Sequence, residues 1–380
     1  MNKEFYIRTF GCQMNVADSE RIKSLLLRDG YQETAEPEEA NLIILNTCAV
    51  RKHAEDKALA RLNSLKHYKR KNPNLIIGLF GCIPSLYGEK LFREFPHLNI
   101  LCGPKGIGKI DFLLDKAKNG EKAAALDEKD GFFDDRCLSA GKNKEALLPI
   151  MQGCDNFCSY CVVPYTRGRE RSKPSSQIIE ELRNLAGQGV KEITLLGQNV
   201  NSYGKGLAEK IDFAGLLKLV SKIKDLEKIK FMTSHPEDIS QNLLEVIASG
   251  KKIEKRLHLP VQSGSDFILK RMNRGYSAAD YKRIVQKARE FIPEISISTD
   301  IIVGFPGEKE EDFQQTLKLL REICFDSIYA FKYSNRPKTA AGGFKEQVSE
   351  EEKERRLQEV FKVYRERVKR TKEALVPGAF

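Results

Sequence analysis

No stretch of this 380-residue sequence is apolar for long enough to cross a bilayer; the longest, around Leu75 to Leu86, is broken by Gly78, Gly81 and Pro84. Met1 to Phe10 lacks the apolar core of a secretory signal. Paired CX2C knuckles are missing too, and no fourth Cys or His stands near the main cysteine motif, which argues against a structural zinc site. The expectation from these absences is a cytoplasmic protein with no membrane partner.

What is present narrows the reading. The length predicts two or three domains. The composition, 41% hydrophobic and 31% charged, is that of a folded globular chain. Lys and Arg exceed Asp and Glu by 64 − 53 = 11, an excess that favours a polyanion because neutralised phosphates release counterions. Nine cysteines in a reducing compartment read as metal ligands or catalytic groups, not disulfide partners.

The first third repeats an apolar strand followed by a cysteine: Phe5 to Thr9 then Cys12, Leu42 to Leu45 then Cys48, Leu75 to Phe80 then Cys82. Helical stretches lie between, Ser19 to Arg28 and His53 to Lys69, so a Rossmann-like parallel α/β domain is expected over residues 1–118. Ligands of such sheets sit beyond the carboxyl ends of the strands, where all three cysteines fall. Residues 119–143, crowded with charge, read as a linker. Six strand candidates follow in alternation with helices: Leu147 to Met151, Glu192 to Leu196, Ile229 to Thr233, Arg256 to Val261, Ile295 to Val303 and Ser327 to Tyr333. They predict a partial (β/α)6 barrel over 144–380, closed by a helix from Glu350 to Glu373 whose Leu357, Val360, Phe361, Tyr364 and Val368 form a core-facing stripe.

The strongest motif is Gly153-Cys154-Asp155-Asn156-Phe157-Cys158-Ser159-Tyr160-Cys161, after the first barrel strand. Three thiolates so close together can wrap a 4Fe-4S cluster and leave one iron open. The CX3CX2C spacing resembles the radical-SAM superfamily. That resemblance implies S-adenosylmethionine (SAM) on the open iron and its one-electron cleavage to a 5′-deoxyadenosyl radical.

Thr9-Phe10-Gly11-Cys12-Gln13-Met14-Asn15-Val16-Ala17-Asp18-Ser19-Glu20, with Asn46-Thr47-Cys48 and Gly81-Cys82, is similar to the signature of the methylthiotransferase family of radical-SAM enzymes. The likeness continues through Leu195 to Gly204, Thr233 to Pro236, Gln262 to Ser265, Ile302 to Glu308 and Tyr333 to Pro337. It implies a second, auxiliary 4Fe-4S cluster on Cys12, Cys48 and Cys82, beside the radical-SAM cluster on Cys154, Cys158 and Cys161. The Gln13-Met14-Asn15 form is similar to members that convert isopentenyladenosine beside the anticodon of tRNA to its 2-methylthio derivative. Relatives acting on threonylcarbamoyladenosine or on a ribosomal-protein aspartate are the nearest rivals. A non-enzymatic iron–sulfur or tRNA-binding protein is the rival of another class. The family also implies an electron donor such as flavodoxin or ferredoxin, and the chain is expected to be a monomer.

Gly197, Gln198, Asn199 and Gly304 are candidates for close approach to SAM, against the plainer reading that such glycines shape turns. Arg167, Arg169 and Arg171 are candidates for RNA phosphates. The run Lys66 to Lys71 reads more readily as a charged helix end. His235 and His258 read as structural. Cys102, Cys137 and Cys324 are given no ligand role. Two departures stand out: Lys338 where the family usually has glycine, and the end at Phe380, where relatives usually continue into an all-β RNA-binding module called TRAM. Without that module, weaker tRNA binding is expected.

Overall fold

The computed structural model describes residues 3–126 and 144–374, with side chains as far as Arg367. Its first unit is a six-stranded, wholly parallel sheet: β1 (Glu4–Phe10), β2 (Gln32–Glu33), β3 (Leu42–Thr47), β4 (Ile76–Gly81), β5 (Ile100–Cys102) and β6 (Ala123–Ala125), in the order β2-β1-β3-β4-β5-β6. Parallel strands covered on both faces need side chains that are apolar in both directions, and β3 and β4 are buried along their whole length. Leu42 and Ile44 point to the face covered by α1 (Gln13–Arg28), whereas Ile43 and Leu45 point to the face covered by α2 (Lys52–Ser64).

The short β6 joins this sheet five residues beyond α-helical Lys118, inside the stretch read as the start of the linker. The rest of that stretch, with Cys137, lies outside the described residues. The helix expected from His53 to Lys69 is two: α2 ends at Ser64 and α3 (Lys66–Lys71) follows. In α3, Tyr68 is buried and donates to Glu38 Oε1 at 2.7 Å, while Lys69 donates to the Leu75 carbonyl. The basic run is a packed helix end.

α4 (Cys82–Tyr87) springs directly from β4. The barrel begins with β7 (Glu145–Pro149) and a short β8 (Met151–Gln152), which pairs antiparallel with β9 (Arg171–Ser172) and closes the base of the cysteine loop. Inside that loop lies one helical turn, α5 (Val163–Thr166). The other barrel strands are β10 (Glu192–Leu196), β11 (Lys228–Met232), β12 (Arg256–His258), β13 (Ser296–Val303) and β14 (Ser327–Lys332). They form two parallel three-stranded sheets, β11-β10-β7 and β12-β13-β14, joined by a bridge from Ile229 to Ile253 and by Ser234 N donating to His258 O. All six barrel strands expected from the sequence are present in sequential order, the geometry of an open barrel. The closing helix, α6 (Glu350–Ala374), buries Val360 and Val363 against the barrel core, with Leu357, Phe361 and Tyr364 beside them. Among the described residues no helix is long and apolar enough to cross a membrane.

The candidate site between two thiol triplets

The order β2-β1-β3 reverses direction between β1 and β3, which makes a crevice beyond the carboxyl ends of these strands. Cys12 follows β1 and Cys48 follows β3, so they flank that crevice, and Cys82 begins α4 one strand further along. The motif around them is knitted by polar side chains. Asn15 Oδ1 accepts from Cys12 N at 3.3 Å, and Asn15 Nδ2 donates to Thr47 O at 3.1 Å. Asn46 Nδ2 donates to Asn15 O at 2.7 Å and to Ser19 Oγ at 2.8 Å, while Thr47 Oγ1 donates to Phe80 O at 2.6 Å. These bonds tie three strand ends into one platform.

Cys12 lies at the surface, whereas Cys48 and Cys82 are buried. A hydrogen bond from Cys48 favours the Cys12 thiolate and lowers its pKa to about 5, against partial desolvation of its sulfur. The same bond, with burial, pushes the Cys48 thiol well up. Burial also raises Cys82, which Arg167 counteracts. Among the described residues no three or more His, Cys, Asp or Glu side chains converge as they would on a single metal ion. A four-iron cube is larger than an ion and spreads its ligands wider, so the donor set, all sulfur with three thiols per group, suits a cube.

The second triplet lies on the loop closed by β8 and β9. Gly153 enters it at φ +81°, where an added Cβ would strike the carbonyls of Gly168 and Arg169. Gln198 Oε1 accepts from Gly153 N at 2.6 Å, and Asn273 Nδ2 donates to Asn156 O and Phe157 O at 3.0 and 3.1 Å. Burial raises the Cys154 thiol to about 11 and the Cys161 thiol to about 12. Arg274, itself buried, donates to Pro260 O and the Tyr276 hydroxyl, both at 2.7 Å, and brings a further N–H to 3.6 Å from Cys158 Sγ. The sequence reading missed Arg274; its only signal is the place of this cation in the short connection between two helices, Asp266–Arg271 and Ala278–Phe291.

α5 connects the two triplets: it begins two residues after Cys161 and packs on α4, whose first residue is Cys82. The residue after α5, Arg167, corrects an expectation. The side chain is 3% exposed and donates to Asp18 Oδ2 at 2.6 Å, inside the molecule and away from any phosphate-facing surface. Arg169 and Arg171 are exposed; Arg169 forms a fork with Asp155 at 2.7 and 3.2 Å and lies over the Phe157 ring.

The residues read as SAM neighbours have packing roles of their own. A Cβ on Gly197 would meet the Met151 side chain, and one on Gly304, at φ +68°, would meet Lys353. Asn199 is buried, accepts from His235 N at 3.0 Å and donates to Asp238 at 2.6 Å. His258 bonds Ser298 and Asp300, and Cys102 packs in the first domain's core.

Residues 148–320 match the model of the radical SAM superfamily, and residues 4–103 match that of Uncharacterized protein family UPF0004. The chain is 48% identical over 369 residues to a tRNA-2-methylthio-N(6)-dimethylallyladenosine synthase of Caldicellulosiruptor saccharolyticus, covering 96% of this chain and 78% of the relative. A protein of the same name from Clostridium novyi is 46% identical, with 96% and 82% covered. Another, from Carboxydothermus hydrogenoformans, is also 46% identical, with 95% and 83% covered. Among solved structures, the radical SAM methyltransferase TsrM of Kitasatospora setae superimposes with a TM-score of 0.65 at 12% identity, over 90% of this chain and 75% of the other. The cobalamin-dependent radical enzyme OxsB does so with a TM-score of 0.57 at 15% identity, over 96% of this chain and 56% of the other, a likeness of fold.

Proposed function

Because the chain belongs to the radical-SAM methylthiotransferase family of these curated relatives, we infer that it converts N6-dimethylallyladenosine in tRNA to its 2-methylthio derivative. The observation that carries the reading is the placement of two three-thiol groups, one per domain, joined through α5.

A radical-SAM cluster on Cys154, Cys158 and Cys161, when bound, supplies the electron that cleaves SAM, and an auxiliary cluster on Cys12, Cys48 and Cys82 supplies a site for the sulfur to be transferred. The protein's own residues hold both groups in place. Gln198 and Asn273 fix the loop of Cys154, Cys158 and Cys161, and Asn15, Asn46 and Thr47 fix the strand ends that carry Cys12, Cys48 and Cys82. Ligation needs thiolates, so loading iron displaces protons from Cys48, Cys82, Cys154 and Cys161, whose burial disfavours the charged form. Exposed Arg169 and Arg171 follow the loop of Cys154, Cys158 and Cys161 and in this reading meet RNA phosphates. In this reading the protein acts as a monomer and takes electrons from a small carrier such as flavodoxin or ferredoxin.

The test is anaerobic reconstitution with iron and sulfide, followed by incubation with SAM, reductant and dimethylallylated tRNA and mass spectrometry of the nucleosides. About eight irons per chain are expected from two four-iron clusters. A methylthio nucleoside that disappears in Cys12→Ala and in Cys158→Ala supports the reading. Full iron and SAM cleavage without a modified nucleoside overturns the substrate.

A further inference from the structure

Arg167 is a barrel-domain cation inserted against the helix that follows Cys12. It lies six residues after Cys161, yet its guanidinium is buried in the first domain against Asp18 of α1. One guanidinium nitrogen donates to Asp18; another, NH1, is buried with no hydrogen-bond partner. A stranded N–H of a charged group is costly in a folded protein unless something accepts from it. Asp18 belongs to α1, whose N-cap is Cys12, and Arg167 follows α5, which packs on α4 at whose first residue Cys82 stands, so the buried guanidinium lies between the elements that carry both thiols.

We propose that Arg167 is a positioning residue for the auxiliary cluster, with its spare N–H turned to the sulfur atoms held between Cys12 and Cys82 and its charge raising the cluster's reduction potential. The proposal rests on the reading that this triplet binds a cluster. Reduction adds one negative charge to an iron–sulfur cube. A fixed positive charge in a site of low dielectric stabilises the reduced form, and a fixed negative charge opposes it. The two members of the ion pair therefore shift the potential in opposite directions, which a purely structural salt bridge would not do.

The test is redox titration by electron paramagnetic resonance of reconstituted Cys154→Ala/Cys158→Ala/Cys161→Ala protein, in which only the auxiliary cluster is left to observe. About four irons per chain are expected in this parent. Adding Arg167→Gln should lower the midpoint potential at unchanged iron, Arg167→Lys should keep it near the parent, and Asp18→Asn should raise it. Unchanged potentials in Arg167→Gln and Asp18→Asn, or shifts of the same sign, overturn the proposal. If Arg167→Gln fails to hold iron, Asp18→Asn decides alone: an upward shift supports the proposal and none overturns it. A parent without iron sinks the two-cluster reading itself, and the proposal with it.

Discussion

His235 caps a single turn at Pro236–Asp238, with Nδ1 accepting from Glu237 N at 3.4 Å and its ring edge-on to Tyr276. Burial, reinforced by the nearby charge of Arg274, lowers its pKa from 6.5 to about 3. Between those values the unfolded chain binds a proton that the folded chain refuses, so this histidine's stability is present above pH 6.5 and is lost as pH falls toward 3. At pH 5 the loss is about 2 kcal/mol relative to neutral pH. Urea unfolding at pH 7 and pH 5 should show that decrement, and His235→Asn should lack it; an equal decrement in the variant would refute the assignment. The exposed Arg169 and Arg171 make a different kind of prediction. Each change to Gln should weaken tRNA binding at all sequences and lower the salt dependence by roughly one counterion. Filter binding across a salt series measures this, and an unchanged slope would remove both from the RNA surface. Lys338 shows how a departure can be accommodated: it adopts φ +67°, the conformation that makes glycine the usual residue, and extends Nζ to Ser85 O at 3.4 Å.

The junction of β4 and α4 is the element on which the auxiliary triplet depends. Gly81 takes φ +91°, and a Cβ there would run into Thr47 O and the Asn46 side chain, the same groups that tie the end of β3 to α1. Gly81→Ala should therefore destabilise the first domain by at least ~2 kcal/mol, through left-handed strain and a backbone collision together. In reconstituted protein it should lower iron from about eight toward about four per chain, the number left by one cluster. Iron analysis checks it, and full loading would show that the strand end can give way. Elements differed in how far the sequence announced them. β3 and β4, apolar on both faces, were legible as they stand, as were the barrel strands. β2, β5 and β6 were not, because two or three residues carry no periodicity and take their extended form from the edge they join.

At the scale of the molecule, two buried ion pairs among the described residues bind the domains: Arg167 with Asp18, and Arg336 with Glu55 of α2. Both members of the second are 3% exposed; Arg336 also donates to Val50 O at 3.3 Å, two residues beyond Cys48, and Tyr87 donates to Glu55 at 2.7 Å. Arg336→Ala leaves a buried carboxylate unpaired and should cost about 3–5 kcal/mol, whereas Arg336→Met with Glu55→Gln should cost much less. Denaturation of the three proteins, followed by urea, measures the difference. Equal losses would mean that the pair contributes packing alone.

The sequence by itself determined the two cysteine triplets, the order of strands and helices and the family, because each is written in local spacing: apolar runs, positive-φ glycines and thiols a few residues apart. Tertiary structure alone decided what lies between the triplets. The run from Arg167 to Arg171 reads as one exposed basic patch, yet folding buries its first member against Asp18 and leaves the others outside. Arg274 and Arg336 are likewise unremarkable in sequence and become buried cations beside Cys158 and Glu55. The physical reason is that a charge's role follows from its desolvation and its partner, and both are set by chain segments more than a hundred residues away.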